Sequence, residues 1–285
     1  MTATDTLRAI IPIAGLGTRM RPWTLAAPKA LLPLVDAHGC IRPAIHWILA
    51  ETAAADVARV ALVAGPTQAP TIETYLDALT PDVRRELPER IEFIIQNKPA
   101  GFGEAVLRTR DFAAGRDILI MLGDHVHLAE ASAPPVTRQL RDAWDACDGK
   151  ALIGVQAVDE SELPRVGTCA GEPLDETGLY RCRAFREKPD PAVARRELRT
   201  PGLPENQYLA HNGCYLFDPA IYDCLADLAE QKAGGEVELA AAQSMLLARH
   251  PEDYRLLRPA ADACDIGTPE GYVETFTRFS RFNPR

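Results

Sequence analysis

Four short apolar runs, each closed by a turn and separated by helical stretches, leave this chain few ways to fold. They are Ala9 to Ile13, Arg59 to Ala64 (RVALVA), Ile91 to Gln96 (IEFIIQ) and Asp117 to Gly123 (DILIMLG). Each has the length and composition of a buried strand. Pro43 to Val57 places Ile45, Ile48 and Leu49 at helical spacing behind a proline suited to a first turn. Thr71 to Leu79 and Gly103 to Phe112 also read as helices. Strands alternating with helices in this way predict an α/β protein with a mostly parallel sheet covered on both faces. Ligands of such sheets sit beyond the carboxyl ends of the strands. Gly15, Gln96 and Asp124 all fall there, so they are predicted to converge.

The second half is less regular. Lys150 to Val158, Leu179 to Glu187 and Tyr208 to Phe217 read as strands, and Asp190 to Asn206 as a polar loop with a short helix. Helices are predicted over Pro219 to Glu230, Val237 to His250 and Pro269 to Phe282. No Gly-, Ser- or Pro-rich linker divides the chain, so 1–285 reads as one domain. Its halves are about 1–130 and about 131–285.

The loop after the first run is Gly15-Leu16-Gly17-Thr18-Arg19, following Ala14. Glycines straight after a strand let successive N–H groups point into one concavity that binds anions. Arg19 adds a planar fork of donors matched to phosphate oxygens, and Lys29 a more mobile positive charge. The predicted guest is a polyphosphate. No P-loop string occurs, and a dinucleotide fingerprint fails at Met20, where its third glycine would stand.

Composition narrows the partners. With 40 acidic against 31 basic residues the net charge is −9, which argues against nucleic acid or an anionic membrane. An acidic protein that binds phosphates must gather its cations locally or recruit a metal. The seven cysteines form no C-x-x-C pair, so zinc-type cysteine spacing is absent and reduced thiols are expected. There is no signal-peptide core at Met1 to Arg8 and no apolar run near the ~20 residues that span a bilayer. A soluble, cytoplasmic protein is predicted.

The longer pattern G-x-G-T-R-M-x-P-x-T, followed by Pro28-Lys29, resembles the sugar-1-phosphate nucleotidyltransferases, the NDP-sugar pyrophosphorylases. Further segments resemble that family in its order, from Ile10 to about Phe276. The resemblance implies a three-layer α/β/α, Rossmann-like fold with a mixed central sheet. It implies an enzyme joining an NTP to a sugar 1-phosphate with release of pyrophosphate, and homo-oligomeric assembly. Ala14 to Thr18 would hold the nucleotide with Arg19 on its phosphates, and Lys29 would contact the α-phosphate. Gln96 and Gly101, in Gln96-Asn97-Lys98-Pro99-Ala100-Gly101, resemble the base-reading segment; a glutamine amide both donates and accepts, as a pyrimidine edge requires. Asp124 (G-D) and Asp265 (D-I-G-T-P) resemble the two metal ligands, and two carboxylates suit Mg²⁺. His125 and His127 read as neighbours of the metal. Glu187 and Lys188 match E-K-P, the glutamate for sugar hydroxyls and the lysine for the sugar phosphate. Gly167 would lie against the sugar. His211-Asn212-Gly213-Cys214-Tyr215 resembles N-x-G-x-Y, with Asn212 the assigned sugar ligand although it adjoins Gly213. Gly235 to Leu239 resembles a helix entry of the uridylyltransferases.

For substrates, Pro33 to Asp36 and G-F-G-E-A-V favour UTP with glucose 1-phosphate. Ala30 and Ala100 depart from that branch, and Arg21-Pro22-Trp23-Thr24 is closer to the thymidylyl and guanylyl branches. The alternatives are therefore dTTP with glucose 1-phosphate and GTP with a mannose-type phosphate. A non-catalytic sensor of nucleotide or sugar phosphate is the alternative of another class; the presence of Arg19, Lys29, Asp124, Lys188 and Asp265 favours an enzyme.

Overall fold

The computed structural model describes residues 6–98, 100–232 and 235–282. Thirteen strands among them run in the order β1 (Leu7–Pro12), β2 (Pro33–Val35), β3 (Ile41–Pro43), β4 (Arg59–Ala64), β5 (Arg90–Ile95), β6 (Asp117–Met121) and β7 (His125–Ala129). They continue with β8 (Ala151–Asp159), β9 (Gly167–Pro173), β10 (Leu179–Glu187), β11 (Gln207–Phe217), β12 (Tyr254–Leu257) and β13 (Ala261–Asp265). The chain forms two compact units, neither continuous in sequence. The first gathers 1–99, 121–138 and 261–285; the second gathers 100–120 and 139–260.

In the first unit β5, β4 and β1 lie side by side in parallel. Ile10 and Ile11 of β1 and Val60 to Ala64 of β4 are wholly buried, as a sheet covered on both faces requires. The register pairs Pro12 with Val63 and Ala64 with Ile95, so all three strands end at one level. The loops that follow them therefore leave from the same edge. Two antiparallel ribbons complete the unit, β2 with β3 and β7 with β13. In the second ribbon Asp265 stands opposite His125.

The second unit is dominated by antiparallel pairs: β11 with β8 and β9, and β10 with β9 and β12. The pair of β12 with β8 is parallel. The α/β class and mixed sheet expected from the sequence are present, with the parallel strands where the βα alternation is regular. A small core of Leu163, Ala170, Ala194, Leu198 and Tyr208 anchors the segment between β8 and β11.

Most predicted elements lie within a residue or two of their positions. The helix predicted from Pro43 starts at Ala44 because Ile41–Pro43 is a strand, and Gly103 to Phe112 divides into helices Phe102–Leu107 and Arg110–Ala113. Besides the three-residue strands β2 and β3, strands β7, β9, β12 and β13 had no prediction. Their sequences, such as HVHLA and ADACD, carry polar residues that interrupt any apolar run.

Candidate active site

The loop from Gly15 to Thr18 is built on the end of β1. The Ile13 N–H donates to Val63 O at 2.8 Å, tying the strand end to β4. The chain then turns at Gly17, whose φ of +58° is left-handed. A Cβ at Gly17 would lie 2.8 Å from Thr24 Cγ2 and 3.5 Å from Lys29 Cβ, so the lysine runs alongside the loop. Two side chains hold the loop carbonyls. Thr24 Oγ1 donates to Gly17 O at 2.9 Å, and Gln68 Nε2 donates to Gly15 O at 3.0 Å. Gln68 Oε1 meanwhile accepts the Gly65 N–H at 2.9 Å, bridging the loops after β1 and β4. With these carbonyls engaged, the N–H groups of Gly15 to Thr18 bond to nothing among the described residues. Ala14 is half-buried and Arg19 is exposed, without an ion-pair partner among the described residues.

Lys29 links this loop to the carboxylates. Its Nζ lies 2.5 Å from Asp124 Oδ2. Asp124 is delivered by Gly123, where a Cβ would sit 2.7 Å from Pro12 O and collide with Ile13; only glycine lets the turn approach the end of β1 so closely. The Asp124 carbonyl accepts the Ile266 N–H at 2.9 Å, which locks it beside the Asp265 segment. Thr268 caps the helix Pro269–Phe279 by accepting the Gly271 N–H at 3.1 Å, and the Gly267 N–H donates to Asp265 Oδ1 at 2.5 Å. The D-I-G-T-P segment is thus a strand end, a tight turn and a capped helix start.

Asp124, His125 and Asp265 bring one ligand atom each within 4.8 Å of one another. His125 Nδ1 is 3.0 Å from Asp124 Oδ1. Burial would raise the Asp124 pKa, but His125 and Lys29 outweigh it and hold the carboxyl well below the usual range. Burial likewise disfavours the charged form of His125, and the two aspartates overcome it, raising its pKa. The site fits a divalent cation on its own geometry. A Cβ at Gly267 would fill the space between the carboxylates, 2.7 Å from Asp265 Oδ1 and 3.1 Å from Asp124 Oδ2. Two carboxylates and an open space between them suit a hard ion with oxygen ligands. His125 joins this group more intimately than its sequence context suggested.

Gln96 is buried at the end of β5 and its N–H donates to Ala64 O at 2.9 Å. Pro99 lies outside the described residues. Gly101, in the second unit, has φ +104°, and a Cβ there would strike Val237 O and lie 2.7 Å from Glu236 Cγ. The Val237 N–H in turn donates to Ala100 O at 3.0 Å. Gly235 to Leu239 therefore backs the Gly101 turn, while Ala233 and Gly234 before it lie outside the described residues.

Gly167, Glu187, Lys188 and Asn212 all fall in the second unit. Gly167 of β9 faces Glu187 of β10, with Glu187 Oε2 3.0 Å from where a Gly167 Cβ would be. Burial raises the Glu187 pKa, partly offset by Lys188. Lys188 Nζ is 3.5 Å from Glu187 Oε1, and the Lys188 backbone is left-handed at φ +47°. A non-glycine residue there is strained by roughly 1 kcal/mol or more. Asn212 is 1% exposed, packs on Gly154, and accepts the Cys214 N–H through Oδ1 at 3.1 Å. The side chain beside Gly167 is its neighbour His211, with Nδ1 3.0 Å from the same Cβ position. Counting back from Gly213 and Tyr215 along N-x-G-x-Y reaches 211, the signal that would have found it.

Among the described residues no helix is long and apolar enough to cross a membrane. Comparisons with known proteins give the family and the fold. The profile of the family described as "Nucleotidyl transferase" matches residues 8–281. A UTP–glucose-1-phosphate uridylyltransferase of Bacillus subtilis (strain 168) is 34% identical, over 96% of this chain and 90% of its own length. UTP–glucose-1-phosphate uridylyltransferase 2 of Staphylococcus saprophyticus is 31% identical over 96% and 91%. The fold is shared with UDP-glucose pyrophosphorylase solved in complex with UDP-glucose, at TM-score 0.78, 23% identity and 95% and 97% coverage.

Proposed function

Because the chain belongs to the nucleotidyl transferase family, we propose that it transfers a uridylyl group from UTP to glucose 1-phosphate, giving UDP-glucose and pyrophosphate. One observation carries the reading. Lys29, which lies alongside the Gly15–Thr18 loop, is ion-paired to Asp124, and Asp124 stands with His125 and Asp265 in one cluster. Phosphate donors and cation-holding carboxylates are thereby joined in one unit.

The reaction is in-line displacement. A glucose 1-phosphate oxygen attacks the α-phosphorus, the bond to the β-phosphate oxygen breaks, and pyrophosphate leaves. Two anions must be neutralised and aligned, and no covalent intermediate is needed. The loop N–H groups and Arg19 hold the β- and γ-phosphates and stabilise the leaving pyrophosphate. Lys29, on a flexible stem, contacts the α-phosphate as charge develops. Gln96 and the Gly101 turn read the uracil. Glu187 binds sugar hydroxyls beside Gly167, and Lys188 anchors the sugar phosphate. Asp124 and Asp265 would hold Mg²⁺, with His125 beside them, and the ion would supply Lewis-acid neutralisation of phosphate charge. Homo-oligomeric assembly and a cytoplasmic location belong to the proposal on the strength of the family resemblance.

Arg21-Pro22-Trp23-Thr24 keeps dTTP with glucose 1-phosphate as the second reading and GTP with a mannose-type phosphate as the third. The test is pyrophosphate release from UTP, dTTP, GTP, CTP and ATP, each with glucose 1-phosphate and with mannose 1-phosphate, in MgCl2. Highest kcat/KM for UTP with glucose 1-phosphate is expected. A preference for dTTP moves the assignment to a thymidylyltransferase, and silence with retained nucleotide binding moves it to a sensor.

A further inference from the structure

The turn that carries Asp124 runs straight into β7, and the first residue of that strand is His125. Strand β7 pairs antiparallel with β13, and the register sets His125 directly opposite Asp265. Residues opposite one another in such a pair point their side chains to the same face, with Cβ atoms about 5 Å apart. The backbone itself therefore delivers an imidazole to the two carboxylates. His127, opposite Ala263, shares that face but lies outside the group of Asp124, His125 and Asp265.

Each carboxylate has one oxygen engaged by the protein. Lys29 Nζ lies 2.5 Å from Asp124 Oδ2, and the Gly267 N–H donates to Asp265 Oδ1 at 2.5 Å. The other oxygen of Asp124, Oδ1, is the one that lies 3.0 Å from His125 Nδ1. Two donors about 3 Å apart form a right-angled edge around an ion with bonds of about 2.1 Å. With Asp265 they make a donor set of two carboxylates and one imidazole, their ligand atoms within 4.8 Å of one another. Mg²⁺ favours oxygen ligands and gives up water reluctantly, whereas imidazole suits divalent transition ions.

We propose that His125 is a third protein ligand of the cation, so that this site takes a divalent transition ion in preference to Mg²⁺. This rests on the two-aspartate metal reading above and adds to it a nitrogen donor that selects the ion.

The test uses the full chain with MnCl2 alone and electron spin-echo spectroscopy, which reads ¹⁴N coupling from a coordinated imidazole. Wild-type protein should show that coupling. His125→Asn, which offers the ion an amide oxygen, should bind Mn²⁺ without it, and His127→Asn should keep it. Titration of free Mn²⁺, with MgCl2 as competitor, gives both affinities. Losing a ligand should cost at least what losing an orienting partner costs, so the Kd for Mn²⁺ should rise about tenfold or more in His125→Asn. The Kd for Mg²⁺ should change by less than about threefold, since oxygen donors satisfy that ion. No ¹⁴N coupling in wild type, or coupling that survives His125→Asn, would overturn the proposal. So would an equal loss for both ions, the mark of a residue that only positions Asp124. If His125→Asn does not fold, loss of the coupling in His127→Asn overturns the proposal and its retention there upholds it. Mn²⁺ bound as tightly by Asp265→Asn as by wild type would overturn the two-aspartate reading instead.

Discussion

Asp124→Asn separates the chemistry of the site from its stability. The carboxylate bonds Lys29 at 2.5 Å and His125 at 3.0 Å, through side chains that are 28%, 18% and 22% exposed for Asp124, Lys29 and His125. Hydrogen bonds to a buried charged group are worth about 1.5–3 kcal/mol each. At this exposure water screens them, and an asparagine carbonyl keeps one of the two. The net loss should then be about 1–2 kcal/mol. For a chain of this size that lowers Tm by ~2–8 °C, leaving the fold intact. Turnover should fall much further. A bound cation supplies several kcal/mol of transition-state stabilisation, and losing about 4 kcal/mol corresponds to ~10³ in rate. Circular-dichroism melting and pyrophosphate release on the same preparation measure both quantities. Turnover within about threefold of wild type in a folded variant would refute the metal role of Asp124.

Three more outcomes follow from the geometry. Gly101→Ala must place a side chain at φ +104° against Val237 O, so it should lose about 2–4 kcal/mol; a Tm within 1 °C of wild type would contradict the close approach. Gln68→Ala removes the bridge between Gly15 O and the Gly65 N–H and should raise the KM for UTP several-fold with kcat little changed; steady-state kinetics check it, and an unaltered KM would mean the loop holds its shape without Gln68. Glu51 is pushed up to about 7 by burial, which hydrogen bonds from Thr137 only partly offset. Its protonated form is therefore favoured in the fold, and the stability it adds is full below about pH 4.5 and lost as pH rises through about 7. Denaturant melts of Glu51→Gln should lack that decline, and a parallel decline in both proteins would place its origin elsewhere.

Much of this site was legible because glycine and charge carry strong local meaning. Gly15 and Gly17 were expected where a strand ends in a turn, and the structure shows contacts that exclude a side chain at Gly17, as it also does at Gly123, for which the sequence carried no such argument. Leu179 to Glu187 was legible residue for residue. What escaped was set by tertiary partners. Strand β13, ADACD, has no apolar rhythm, and it is a strand because it pairs with β7 and brings Asp265 opposite His125. The ion pair of Lys29 with Asp124 joins residues 95 positions apart, and no local pattern announces it. Likewise, His211 and Asn212 both fit a sugar motif on paper. Only the packing of one on Phe185 and the other on Gly154 distinguishes them.

The central claim is that a sugar-phosphate oxygen becomes the bridge of a nucleoside diphosphate sugar. Glucose 1-phosphate labelled with ¹⁸O in its phosphate, incubated with UTP, MgCl2 and the protein, tests it directly by mass spectrometry of the products. The account predicts UDP-glucose carrying all the sugar-phosphate label, formed one-to-one with unlabelled pyrophosphate. Label in the pyrophosphate, or UTP hydrolysis with glucose 1-phosphate left unchanged, would contradict it.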